Sequence, residues 1–172
     1  KFLLEFFSTV KWNTLMLFTS YSAIKDTYLY CHNALKKLNI ELLAQNIGWS
    51  KHKIISYFKK HSDSSIMFWT DSFWEWIDIP GNDLKYLIIH KFPFWVPTDP
   101  IFKARSRLYK DAFGDYSIPK AIIKTKQGFW RLIRTKTDKW IFILLDDRII
   151  NTSWWEKHKK SFPDEVNFKI SN

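Results

Sequence analysis

The chain has 172 residues, with 27 Lys and Arg against 17 Asp and Glu for a net charge of +10, which is enough length for one ordinary domain with a sizeable core. Its 46% hydrophobic content is globular, and no apolar run approaches the roughly 20 residues that cross a bilayer, so we expect a soluble protein and no membrane partner. Cys31 is the only cysteine, which excludes an internal disulfide, a thiolate zinc knuckle and an iron–sulfur cluster held by this chain alone, and fits a reducing cytoplasm.

The basic excess favours polyanions such as nucleic acid. His32, His52, His61, His90 and His158 lack the spaced pairing of a metal motif, and we assign no metal to them. The chain begins at Lys1 rather than Met and carries no signal-peptide pattern, so we expect a further segment upstream. Oligomeric state is left open.

In chain order, short apolar stretches alternate with longer stretches of helical period, the pattern of strands and crossover helices in a parallel sheet, which makes the fold class α/β. The predicted strands are Thr14–Phe18, Ile40–Leu43, Ser65–Phe68, Leu84–Ile89 and Trp140–Leu145. The predicted helices are Tyr21–Leu38, Lys51–Lys59, Asp99–Phe113, Ile118–Arg134 and Ser153–Ser161. Asp99-Pro100 and Ser117-Ile118-Pro119 supply start signals for two of them. The two prolines between Phe92 and Pro97 mark a loop leaving a strand. No Ser/Gly linker or internal repeat divides the chain, so residues 1–172 read as one continuous domain.

Thr70-Asp71-Ser72-Phe73-Trp74-Glu75-Trp76-Ile77-Asp78-Ile79-Pro80-Gly81 follows the third predicted strand, at the carboxyl edge where parallel α/β sheets bind ligands. By itself this passage reads more readily as a hydroxyl and a carboxylate capping the next helix. Gln127-Gly128-Phe129-Trp130-Arg131-Leu132-Ile133-Arg134 closes a basic helix, and two arginines three apart share a helix face. Phosphoryl transfer spreads charge over the γ-phosphate oxygens, and a planar guanidinium can contact two of them at once.

The first passage resembles motif V of superfamily 2 helicases, and its Ser-Phe-Trp-Glu is similar to the form found in the DinG/XPD group. The second resembles motif VI, Gln-x-x-Gly-Arg-x-x-Arg. Leu17-Phe18-Thr19-Ser20-Tyr21 resembles that group's motif IV. Lys91-Phe92-Pro93-Phe94-Trp95-Val96-Pro97-Thr98-Asp99-Pro100-Ile101 and Leu144-Leu145-Asp146-Asp147-Arg148 resemble two further segments of it. The resemblance covers roughly residues 12–163.

It implies a RecA-like parallel sheet flanked by helices, the second motor domain of an ATP-dependent DNA helicase. Thr70 and Ser72 would meet a DNA phosphate through hydroxyl and backbone N–H groups, with Asp71 between them, and Thr19 and Ser20 would hold the nucleic-acid backbone. Asp78 would reach the nucleotide ribose, with Trp76 beside it. Arg131 and Arg134 would be arginine fingers, and Gln127 would place the γ-phosphate or the attacking water. No Walker A loop is present, so the ATP phosphates and Mg²⁺ would be held by a first RecA-like domain outside this sequence, where any iron–sulfur cluster would also belong. The chain alone is then expected to be inactive as an ATPase, with single-stranded DNA as its partner. Two other readings remain open: a non-enzymatic single-strand-binding module rich in aromatic residues, and the translocating half of a nuclease-fused relative.

One departure recurs. Trp76, Trp130 and Trp140, with Trp12, Trp49, Trp69, Trp95 and Trp155 less clearly, stand where the family has glycine, the smallest residue exchanged for the largest. An average glycine usage of about 7% predicts roughly a dozen glycines in this length; the chain has 4, and the eight tryptophans would make up the difference. The reading we expect is UGA codons meaning glycine in the source and rendered as tryptophan, with UGG at Trp74 and Trp154.

Overall fold

The computed structural model describes residues 2–10, 13–61, 63–70, 84–95, 98–130, 141–146, 148, 152–163 and 166–167. Its elements in order are helix α1 (Phe2–Thr9), strand β1 (Thr14–Phe18), α2 (Tyr21–Lys37), β2 (Glu41–Ala44), α3 (Lys51–Lys60), β3 (Ser65–Thr70), β4 (Tyr86–Ile89), α4 (Pro100–Ser106), a π turn (Phe113–Ser117), α5 (Ile118–Trp130), β5 (Ile141–Leu144) and α6 (Ser153–Lys159). The strands form one sheet in the order β2-β3-β1-β4-β5, and every pairing is parallel. The α/β expectation is therefore met. Among the described residues no helix is long and apolar enough to cross a membrane.

Contacts divide the chain into two compact units, residues 1–91 with 129–145 and residues 92–128 with 146–172. The first contains the sheet, and strand alternation explains its packing, because successive side chains point to opposite faces. Leu15 and Leu17 of β1, Met67 and Trp69 of β3, and Leu87 and Ile89 of β4 build one apolar layer with Ile54 and Phe58 of α3. Met16 and Phe18, Ile66 and Phe68, and Ile88 build the other, with Phe7 of α1 and Ile24, Cys31 and Leu35 of α2. Both faces of the central strands are thus covered, and their sequences are near-continuous apolar runs for that reason. The buried positions of α2 and α3 recur at helical spacing, one stripe on each helix.

The second unit is held by rings and one carboxylate. Phe92 packs edge-on to His158 at 5.3 Å between ring centroids, His158 to Phe162 at 4.9 Å, and Phe113 to Trp154 at 4.8 Å. Asp146 is buried and accepts from Phe92 N at 2.8 Å, from Arg148 Nε at 2.7 Å and from Arg148 Nη2 at 2.6 Å. Burial alone would raise its pKa. The hydrogen bonds from the Arg148 side chain and from the backbone N–H groups of Phe92 and Arg148 outweigh that and hold the carboxyl below its ordinary value.

The predicted helix Asp99–Phe113 is instead broken. Asp99 caps α4 as expected, accepting from Phe102 N at 2.9 Å, but Asp111 then accepts from the N–H groups of Phe113 at 3.2 Å and Gly114 at 2.9 Å and starts a second helical run. A Cβ on Gly114 would meet the Asp111 carboxylate, so a larger residue there would displace this capping side chain. That run leads through the π turn into α5, which begins at Ile118 as predicted.

His158 is 2% exposed, and neither ring nitrogen has a hydrogen-bond partner among the described residues. Burial pushes its pKa from 6.5 down to about 4. Between those values the unfolded chain binds the extra proton and the folded chain does not, so stability rises with pH through this window and is lost as pH falls. The loss should approach about 3 kcal/mol by pH 4, taking 1.36 kcal/mol per pKa unit. Urea unfolding midpoints measured from pH 4 to 7 check this, and His158→Phe should flatten the His158 contribution to the slope.

Candidate nucleic-acid interface

The carboxyl ends of β1, β2 and β3 lie side by side in the first unit, where the order β2-β3-β1 and the register pair Phe18 with Thr70 and Ala44 with Phe68. Thr19 and Ser20 leave β1 here, and both are exposed. Ser20 is extended, with φ −153° and ψ 153°, and its Oγ accepts from Ala23 N at 3.3 Å, so it is the N-cap of α2. The 17-residue α2 has no acidic residue in its first turn, and the N-terminal end of a helix favours an anion.

Thr70 ends β3, two residues later than predicted, because Trp69 and Thr70 continue the pairing with Leu17 and Phe18. It is 5% exposed. Its N–H and its Oγ1 each donate to Gln45 Oε1 at 2.9 Å, and these are the two donors that the resemblance directs at a DNA phosphate. Gln45 Nε2 donates in turn to the Tyr21 hydroxyl at 3.0 Å. Gln45 thus belongs to the edge although the sequence reading passed over it. A lone glutamine at a strand end, 25 residues from its partner, has neither periodicity nor motif to single it out.

Gln127 is exposed near the end of α5, in the second unit. Asp71, Ser72, Trp76, Asp78, Arg131 and Arg134 lie outside the described residues. The structure therefore brings Thr19, Ser20 and Thr70 to one sheet edge. Among the described residues no group of His, Cys, Asp and Glu is placed to hold a metal ion.

A family model for the helicase C-terminal domain matches residues 3–165. The chain belongs to that family. The helicase domain is 38% identical over 153 residues to the ATP-dependent DNA helicase YoaA of Haemophilus influenzae, covering 87% of this chain and 23% of that protein. It is 36% identical over 140 residues to the 3'-5' exonuclease DinG of Bacillus subtilis, covering 78% and 15%. It is 38% identical over 160 residues to the ATP-dependent DNA helicase DinG of Photobacterium profundum, covering 87% and 22%. The helicase domain thus spans between about a seventh and a quarter of the length of these relatives. Among solved structures it superposes on Xpd4 of S. tokodaii with a TM-score of 0.53 and 16% identity, covering 84% of this chain and 28% of that one. It also superposes on the C-terminal part of the Fun30 ATPase domain with a TM-score of 0.50 and 13% identity, covering 96% and 45%. These two likenesses concern the fold alone. The resemblance to the DinG/XPD group, read from motifs IV, V and VI, is thereby borne out, as is the RecA-like fold.

The tryptophans expected to stand at family glycine positions divide by position. Trp12, Trp76 and Trp140 are outside the described residues. Trp69 is 2% exposed within the core, Trp49 packs edge-on to Tyr57 at 5.0 Å, Trp95 stacks on Phe102, Trp155 stacks on His158, and Trp130 is 49% exposed. Among the described residues the left-handed non-glycine positions are Asn39 and Asn46, so none of these five tryptophans occupies a backbone conformation that calls for glycine. At Trp130 the indole lies half in solvent and is not forced into the core.

Proposed function

We propose that this chain is the second motor domain of an ATP-dependent DNA helicase and that the edge formed by Thr19, Ser20 and Thr70 is part of its single-stranded DNA track. Asp71 and Ser72 continue the track. Gln127, Arg131 and Arg134 serve the nucleotide as γ-phosphate or water placement and as arginine fingers, with Asp78 and Trp76 at the ribose. A first RecA-like domain supplies the phosphate cradle and Mg²⁺, and ATP is hydrolysed between the two domains.

The observation that carries this reading is the placement of exposed Thr19 and Ser20 at the start of α2, beside the end of β3, on a parallel sheet whose family is the helicase C-terminal domain. Hydroxyls and backbone N–H groups at such an edge bind phosphate oxygens without reading bases. The net charge of +10 favours the same partner, and the relatives named as ATP-dependent DNA helicases agree with it.

The test uses the longer helicase that carries this chain. Thr19→Ala should weaken single-strand binding roughly tenfold, the value of a hydrogen bond to a charged group, and by similar factors for different base sequences. The log–log salt slope should stay unchanged, because a hydroxyl displaces no counterion. Unaltered affinity in fluorescence-anisotropy titrations would remove Thr19 from the track.

A further inference from the structure

We infer that the second unit carries a further single-strand contact, in which an unpaired nucleobase stacks on the ring of Tyr109 while the cations flanking it along the chain hold phosphates. This contact goes beyond the track at the ends of β1 and β3 and uses none of its residues. Where α4 ends, Leu108 N donates to Arg105 O at 3.1 Å and Tyr109 N to Ser106 O at 3.2 Å, so the helix gives way to tight turns. Tyr109 then stacks on Tyr116 at 5.3 Å between ring centroids and 21° between ring planes. Tyr116 is 5% exposed and packs in turn against Phe102 of α4 at 5.8 Å. Tyr109 itself is 42% exposed, so its ring is supported on its inner side and open to solvent on its outer side.

Between residues 103 and 110 the chain carries Lys103, Arg105, Arg107 and Lys110 and no acidic residue. All four are exposed, and among the described residues none of them is in an ion pair. Three acids lie in the flanking sequence, Asp99, Asp111 and Asp115. Two of them, Asp99 and Asp111, turn their carboxylates onto the backbone N–H groups of Phe102, Phe113 and Gly114. Cations without protein partners, set along the chain beside a preformed aromatic platform, suit a partner that offers phosphates and flat rings together. Charge alone would accept any polyanion, and the ring narrows the choice. Inside a duplex the faces of the bases are covered by their stacked neighbours, so only an unpaired base has a face to give to Tyr109. Every base has such a face, and the contact is therefore tolerant of sequence.

The experiment measures the binding of two probes to the longer helicase by fluorescence anisotropy, a thymidine oligonucleotide and an abasic deoxyribose-phosphate oligomer of the same length. Tyr109→Leu keeps an apolar side chain against Tyr116 and removes the aromatic face. It should weaken binding of the thymidine probe about tenfold and of the abasic probe by less than about twofold, whereas Tyr109→Trp should retain wild-type affinity for both. Arg105→Ala combined with Arg107→Ala should weaken both probes by similar factors and make the log–log salt slope shallower by about 0.7–1.4, the contribution of one or two phosphate contacts on a single strand. Equal losses for the two probes in Tyr109→Leu would assign the ring to packing alone and overturn the stacking. Wild-type affinity in Tyr109→Leu and in the arginine pair, with binding weakened in Thr19→Ala, overturns this contact and leaves the track reading intact. The reverse pattern removes the track and leaves the contact at Tyr109 standing.

Discussion

In the longer helicase, Arg131→Ala and Arg134→Ala are each expected to lower ATP turnover by about 10³–10⁵-fold, the range that finger arginines contribute by stabilising transition-state charge. Single-strand affinity should be largely retained, because the proposed track lies at the ends of β1 and β3 and does not include these residues. In the sequence the two arginines come after α5, which ends at Trp130, and they are spaced three residues apart. A guanidinium contacts two γ-phosphate oxygens at once, which a lysine at the same position cannot match. Arg134→Lys should therefore remain strongly impaired. Steady-state hydrolysis at saturating single strand measures this, and wild-type turnover in both alanine variants would remove the pair from catalysis.

The largest expected effect on stability is at Phe68. Its ring is fully buried in the middle of β3, edge-on to Phe18 at 5.1 Å between centroids and 6.2 Å from Phe7. Phe68→Ala removes that packing and leaves a cavity between the sheet and the layer of α1 and α2, at a cost of about 3–5 kcal/mol. For a chain of this size that corresponds to a melting temperature lower by roughly 10 °C. Leu29→Ala on the outer side of α2, at a residue 65% exposed, should change stability by less than about 0.5 kcal/mol. Thermal unfolding of the two variants side by side checks the assignment of faces.

The sheet was legible because its strands are buried on both sides and so read as unbroken apolar runs; β1 was predicted with the bounds it has. The end of β3 was not, since Thr70 looks like a loop residue until its pairing with Phe18 is seen. Helix α1 was not anticipated, because its mixed apolar run at the beginning of the chain has no cap or Pro signal. The break between α4 and α5 depends on Asp111 turning its side chain onto Gly114 N, a local choice that periodicity does not register.

The candidate site was legible in part. Motif order pointed to Thr19, Ser20 and Thr70, and the fold places them at neighbouring strand ends. Gln45 was invisible because its role comes from a contact across 25 residues rather than from any pattern along the chain. The tryptophans show the opposite difficulty. Resemblance alone asked for glycine at Trp69, yet in this structure its indole fills core space. Codons at the eight positions, UGA by expectation and UGG otherwise, separate a translation effect from real tryptophans.

The most direct measurement is Mg²⁺-dependent ATP hydrolysis by the purified 172-residue chain, with and without single-stranded DNA. On the proposed reading the chain supplies arginine fingers and part of a track without a phosphate cradle, so hydrolysis at background under both conditions is the expected result. Robust, strand-stimulated hydrolysis by the rigorously pure chain would contradict it.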